Sequence, residues 1–114
     1  MEILVVDDEK PAREKILAFL ADEDGILGIR EAENGREAIE QIQRKKPDLV
    51  FLDIQMPGKS GFDVITDIGI ENMPSVIFVT AYDQYAINAF EIQAIDYLLK
   101  PYDQERFRRA FHRA

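Results

Sequence analysis

The 114-residue chain has no cysteine, which excludes disulfides, thiol nucleophiles and thiolate metal sites. Glycine and proline are sparse, with six and five copies, and no low-complexity tract is present, so disorder is not expected. Positive charge is in short supply: 14 Lys and Arg face 22 Asp and Glu, a formal net charge of -8. A balance of that sign argues against nucleic acid or an anionic membrane as a direct ligand of this chain. Long apolar runs are also missing. The longest are about five residues, against roughly 20 needed to span a bilayer. The N-terminus turns acidic at Asp7, which does not suit a secretory signal peptide, and a cytoplasmic location is the expectation. What remains is ordinary for a globular protein, 46% hydrophobic and 32% charged. A chain of this length forms one domain and buries roughly two thirds of its surface around a single core.

Five short β-type runs alternate with helix-type segments. The runs are Glu2–Val6, Ile26–Ala32, Asp48–Leu52, Ser75–Val79 and Ile95–Leu99. Ala12, Ile16, Phe19 and Leu20 share helical spacing after Pro11, and Ala38, Ile39 and Ile42 do so in a second segment. A third helix is expected from near Gly61 to Gly69, an αL cap. A fourth covers Gln84 to Gln93, and a fifth follows Asp103 as N-cap and aligns Phe107, Ala110 and Phe111. The first, third and fourth runs are nearly all β-branched or Leu/Phe, as in parallel strands with helices on both faces. Regular alternation predicts an α/β fold, a doubly wound (βα)5 three-layer sandwich on a parallel five-stranded sheet.

Parallel strands deliver their C-terminal ends to one edge, where ligands bind. "ILVV" is followed by Asp7 and Asp8, "DLVFL" by Asp53, "SVIFV" by Thr80 and "DYLL" by Lys100. A lone acid after a strand is usually a turn or a helix cap, and Asp7, Asp8 and Glu9 could cap the helix at Pro11. Convergence of all four strand ends is a different matter. Buried like charges need a compensating cation, and hard oxygen ligands without His or Cys suit Mg²⁺. A lysine is suited to a phosphoryl oxygen. A carboxylate beside Mg²⁺ can act as nucleophile on phosphorus to give an aspartyl phosphate. Asp53, on a middle strand, is the central candidate. The Thr80 hydroxyl can hydrogen-bond the new phosphoryl group.

The blocks "LVVDDE", "DLVFLDIQMPGKSGFDVI", "VIFVTAYD" and "IDYLLKPYD" resemble, in order and spacing, the receiver (CheY-like) domain of two-component response regulators. The resemblance covers essentially residues 1–114 and implies the flavodoxin-like strand order 2-1-3-4-5. It implies that Asp53 is the phosphoacceptor, and that Asp8, Asp53 and the Gln55 backbone carbonyl bind Mg²⁺, with Asp7 acting through water. Lys100 and Thr80 would assist the chemistry, and Thr80 with Tyr97 would form the switch. Pro101 sits where the family usually has a cis peptide. Gln55 and Tyr82 stand at positions that influence phosphoryl lifetime. The implied partners are a sensor histidine kinase and small phosphodonors. The stretch "TAYDQYAINAFEIQAIDYLLKPYD" resembles receivers that precede a LytTR-type DNA-binding domain; this chain carries no such output domain, and DNA binding would belong to a missing C-terminal one. The reading is a regulatory domain that assists its own phosphorylation, not an enzyme acting on an outside substrate.

Other readings fit less well. A haloacid-dehalogenase-type phosphatase needs a second acid two residues after its nucleophile, where this chain has Gln55. A flavodoxin-like cofactor carrier would have to cradle phosphate against Asp7, Asp8 and Glu9. An unphosphorylated, stand-alone docking receiver is at odds with the intact set Asp8, Asp53, Thr80 and Lys100. His112, the single histidine, is read as a charged helix-end residue. Arg106, Arg108, Arg109 and Arg113 are read as a solvated face complementing the helix dipole. In the fourth helix Ile92, Tyr85, Ala89, Ala86, Phe90 and Ile87 span roughly 220° at about 100° per residue, wider than one buried stripe. Either Tyr85 and Ile87 fold onto adjacent loops, or part of this face meets a second copy in a phosphorylation-promoted homodimer through helix 4, strand 5 and helix 5, with the arginines facing acids such as Asp96 or Glu91.

Overall fold

The computed structural model describes all 114 residues. In chain order the elements are β1 (Glu2–Val6), α1 (Lys10–Leu20), β2 (Gly28–Ala32), α2 (Gly35–Arg44), β3 (Leu49–Leu52), α3 (Gly61–Ile68), β4 (Ser75–Thr80), α4 (Ala86–Glu91), β5 (Asp96–Leu99) and α5 (Gln104–Phe111). A single 3₁₀ turn, Ile70–Asn72, joins α3 to β4. All five strands are parallel and lie in the order β2-β1-β3-β4-β5. The expected doubly wound (βα)5 sandwich is the observed fold. No helix is long and apolar enough to cross a membrane.

The strand period of two sorts the apolar residues onto opposite faces. Leu4, Val6, Val50, Leu52 and Phe78 pack with Ala38, Ile42, Val64 and Ala89, the layer beneath α2, α3 and α4. Ile3, Val5, Phe51, Ile77 and Leu98 pack with Ile16, Leu20, Phe107 and Phe111, the layer beneath α1 and α5. Phe107 stacks on Phe51 with ring centroids 5.3 Å apart. Central strands β1 and β3 are covered on both sides, which is why neither alternates with polar residues.

Local chemistry sets most helix starts. Asn34 accepts the Glu37 N–H at 2.8 Å, Ser60 and Asp63 form a reciprocal capping box, and Asp103 accepts the Arg106 N–H at 2.8 Å. Helix α1 departs from this pattern. Glu9 holds the N-cap position without a side-chain bond, and the Asp7 carboxylate accepts the Glu9 N–H at 2.9 Å instead. Of the three acids, only Asp7 braces that turn.

Several boundaries differ from expectation. Strand β2 starts at Gly28, since only Gly28–Ala32 registers against Glu2–Val6. Asp48 lies outside β3 and accepts the Glu2 N–H on its side chain at 2.6 Å. β4 includes Thr80, which registers with Leu99, while β5 starts at Asp96. Helix α4 is six residues, short of the expected span, and the chain leaves it through Gln93 at φ 60. Gly69 has φ 93 and ψ 131, so it uses glycine's freedom at positive φ, but its ψ lies outside the αL region.

Candidate functional site

The carboxyl ends of β1, β3, β4 and β5 meet at one edge. Ligand oxygens of Asp7, Asp8 and Asp53 lie within 4.8 Å of one another. Asp7 and Asp53 are buried, at 1% and 5% exposure, while Asp8 faces solvent. Lys100 enters from the far side of the cluster, its Nζ 2.8 Å from Asp7 Oδ2 and 3.6 Å from Asp53 Oδ2. The Lys100–Pro101 peptide is cis. Thr80, fully buried, ends β4; its carbonyl accepts the Lys100 N–H at 2.7 Å and its hydroxyl accepts the Tyr82 N–H at 3.4 Å. Asp8, Asp53, Gln55, Met56, Tyr82 and Lys100 line the open cleft above.

Three carboxylates face one ammonium. Burial pushes the Asp53 carboxyl up to about 6, against the pull of Lys100 and with the push of Asp7. Burial alone would depress Lys100, but the hydrogen bond it donates to Asp7 and the fields of Asp53 and Asp7 outweigh it and raise its pKa. The donor set of hard carboxylate oxygens fits a divalent cation such as Mg²⁺.

Sequence reasoning brought Asp7, Asp8, Asp53, Lys100 and Thr80 to one place, and the fold does so. Tyr97 stands apart from the acids. It is half-buried, packs on Phe78 at 6.4 Å between centroids, and donates its hydroxyl proton to the Tyr82 carbonyl. Arg108, Arg109 and Arg113 of the expected solvated face are exposed, with Arg108 and Arg109 in the last turn of α5, and three of the four arginines also pair within the chain. Arg106 binds Asp96 at 2.8 and 3.0 Å through two nitrogens, Arg113 reaches the same acid at 3.3 Å, and Arg108 reaches Glu23 at 3.2 Å. Asp96 is thus engaged within the chain and is not available to a second copy. His112 sits 2.9 Å from Glu23, at the end of α5 and away from the acids. In α4 Ala89 is buried, and the flanking Tyr85 and Ile92 are half-buried against the core. Ile87 and Phe90 stay 73% and 83% exposed.

Three contributors went unnoticed in the sequence. Arg13 is buried and donates to the Asp7 carbonyl at 2.8 Å and to Glu31 at 3.0 Å. Its signal was available, since Arg13, Ile16 and Leu20 are the buried residues of α1 and a guanidinium therefore interrupts an apolar stripe. Gly61 lets α3 approach the site: a Cβ there would lie 2.5 Å from the Asp53 carbonyl oxygen. Tyr85 hydrogen-bonds the Gln55 amide at 2.6 Å across 30 residues, and no local pattern announces that contact.

Residues 3–112 match the model of the response regulator receiver domain family. This chain is a response regulator receiver domain. The receiver is 50% identical over 113 residues to an uncharacterized response regulatory protein of Yersinia pestis, covering 99% of this chain and 48% of that protein. It is 44% identical to the sensory transduction protein LytT of Bacillus subtilis, covering 93% of the chain and 44% of LytT. It is 42% identical to the transcriptional regulatory protein BtsR of Escherichia coli, covering 99% and 47%. The chain thus spans about half the length of the curated relatives it matches. Among solved structures, the response regulatory domain of MrkE from Klebsiella pneumoniae superposes with a TM-score of 0.86 at 28% identity, covering 98% of this chain and 93% of that one.

Proposed function

We propose that this receiver is a phosphorylation-controlled switch whose phosphoacceptor is Asp53. One observation carries the reading: a buried carboxylate lies within 4.8 Å of two more acids and 3.6 Å from a lysine, at the sheet edge where ligands bind. An ionised Asp53 oxygen attacks phosphorus, and the bond from phosphorus to the donor breaks. The donor is a histidine nitrogen of a sensor kinase or the acetate oxygen of acetyl phosphate. Asp8, Asp53 and the Gln55 carbonyl would hold Mg²⁺, with Asp7 acting through water; the ion would offset negative charge on the incoming group. Lys100, already between Asp7 and Asp53, takes a phosphoryl oxygen. The Thr80 hydroxyl then donates to the phosphoryl group, and movement of strand β4's end opens room that Tyr97 fills.

The same reading places the output elsewhere. Exposed Ile87 and Phe90 on α4, beside β5 and α5, form the face by which a second copy would associate. Transcription control would rest with a DNA-binding domain of the longer, cytoplasmic protein, a proposal motivated by relatives twice this length. The test is direct. Incubation with acetyl phosphate and Mg²⁺ adds one phosphoryl group by intact mass, and Asp53→Ala abolishes it. Label that survives the substitution, or that appears without a divalent cation, refutes the assignment.

A further inference from the structure

Arg13 is out of place by the rules that govern the rest of α1. It is the fourth residue of the helix, near the positive end of the helix dipole, where a cation is disfavoured. It is buried alongside Ile16 and Leu20, and its side chain is 9% exposed. A guanidinium is tolerated at such a depth only against partners. Two of them are acids beyond the helix: Glu31 at 3.0 Å from Nε and Glu33 at 4.0 Å from Nη2. Those contacts alone would make an ion pair between helix and strand. The third contact is different in kind. Nη1 donates to the carbonyl oxygen of Asp7 at 2.8 Å.

That carbonyl lies one residue beyond β1. The Val6 carbonyl before it still accepts the Asp53 N–H at 3.0 Å, but no main-chain N–H donates to the Asp7 carbonyl. Asp7 is anchored otherwise through different atoms. Its N–H goes to the Ala32 carbonyl at 3.2 Å, and its carboxylate accepts from the Glu9 N–H at 2.9 Å and from Lys100 at 2.8 Å. Asp8, by contrast, is exposed, and the peptide it shares with Asp7 sets the direction in which its side chain leaves the backbone. Mg²⁺ demands near-octahedral ligand geometry, so rotation of that peptide would carry the Asp8 oxygens out of place. We infer that Arg13 is a positioning residue: it clamps the Asp7–Asp8 peptide and so aims the Asp8 carboxylate for a divalent cation. The rigid fork of arginine suits the task, since Nε is engaged by Glu31 while Nη1 reaches Asp7. The inference rests on the reading of Asp8 as a Mg²⁺ ligand.

The sign of the effect separates this role from two others. By charge alone, removing a cation from beside the acids would tighten Mg²⁺ binding. A mere strut between α1 and β2 would change stability and leave the affinity where it was. Positioning demands weaker binding. Mg²⁺ is titrated into native protein, Arg13→Met and Arg13→Lys, followed by backbone amide shifts in ¹⁵N–¹H spectra, well below each Tm so that only folded protein reports. Arg13→Met should bind roughly 10-fold more weakly. That is the low end of the roughly 10- to 100-fold loss usual when a group behind a metal ligand is removed, because water can replace the guanidinium at the Asp7 carbonyl. Arg13→Lys keeps the charge and gives up the fork, so it should fall between the two, and its loss is one of geometry. Without metal, the Asp8 amide resonance should move in Arg13→Met, since that N–H belongs to the clamped peptide. An unmoved Asp8 amide, or an affinity equal to or tighter than native in Arg13→Met, would overturn the role. If Arg13→Met does not fold, Arg13→Lys decides on the same terms. No saturable Mg²⁺ response in the native protein would overturn the metal reading of Asp8, and this inference with it; a native response that the substitution leaves unchanged would overturn the inference alone.

Discussion

Replacing Asp53 by asparagine should stabilise the metal-free domain at neutral pH. Asparagine matches the size of the protonated acid and carries no charge. In the folded chain burial raises the Asp53 pKa from 3.8 to about 6, so folding disfavours the ionised form. The sign follows from linkage: below pH 3.8 the acid is protonated both folded and unfolded, and it adds no strain to the fold. As pH rises to 6 and beyond, the unfolded chain ionises freely while the folded site resists, so native stability falls relative to the variant. The full gap corresponds to about 3 kcal/mol, at about 1.36 kcal/mol per pH unit. An amide cannot reproduce every hydrogen bond of the acid, so about 2 kcal/mol is expected at pH 7.5. For a domain of this size that is a rise in Tm of roughly 8 °C. Thermal unfolding by circular dichroism in EDTA at pH 4, 5.5 and 7.5 measures it. The difference between native and Asp53→Asn should be small at pH 4 and grow at each step, and Mg²⁺ should narrow it at pH 7.5 by stabilising only the native chain. A pH-independent difference, or a less stable variant at pH 7.5, would refute the claim that burial of an under-compensated charge dominates this site.

Gly61→Ala should destabilise the fold by about 1–3 kcal/mol in urea titration, since its Cβ would press on the Asp53 carbonyl oxygen at 2.5 Å; native stability would show that α3 can shift at no cost. Beryllofluoride, a mimic of the phosphoryl group, should convert the domain to a dimer at ~100 µM in sedimentation, and Ile87→Glu should prevent it by charging a side chain that is 73% exposed in the monomer. A monomer in both states, or a dimer indifferent to Ile87→Glu, would remove α4 from the interface.

The architecture was legible because its signals are local and repeated. Nearly continuous apolar runs at Ile3–Val6 and Leu49–Leu52 mark strands covered on both faces, and the order of βα units leaves few topologies. Asp7, Asp8, Asp53, Thr80 and Lys100 could be gathered from sequence because each lies at or just beyond the C-terminal end of a strand, and parallel strands share an edge. Lys100 shows the limit of that reasoning. Strand position brings it to the cluster but does not say that it lies nearer Asp7 than Asp53, which depends on side-chain reach in three dimensions. The partners of the α5 arginines were out of reach for a related reason. Helical spacing reports which residues share a face, not that Asp96 on a neighbouring strand supplies oxygens for Arg106 and Arg113. Helix α4 came out too long because Tyr85 and Ile92 look helical by composition, yet both serve as its flanking caps.

Helix α4 contributes one fully buried residue, Ala89, to the interior, whereas α5 drives Phe107, Ala110 and Phe111 into it. Six residues are too few to sustain a helix in water on their own. The position of α4 is therefore set by what it leans on rather than by its own cohesion. One buried methyl group and two half-buried flanking side chains tie α4 to the core. The mooring is uneven from helix to helix: α2, α3 and α5 each sink three residues into the interior, and α4 sinks one.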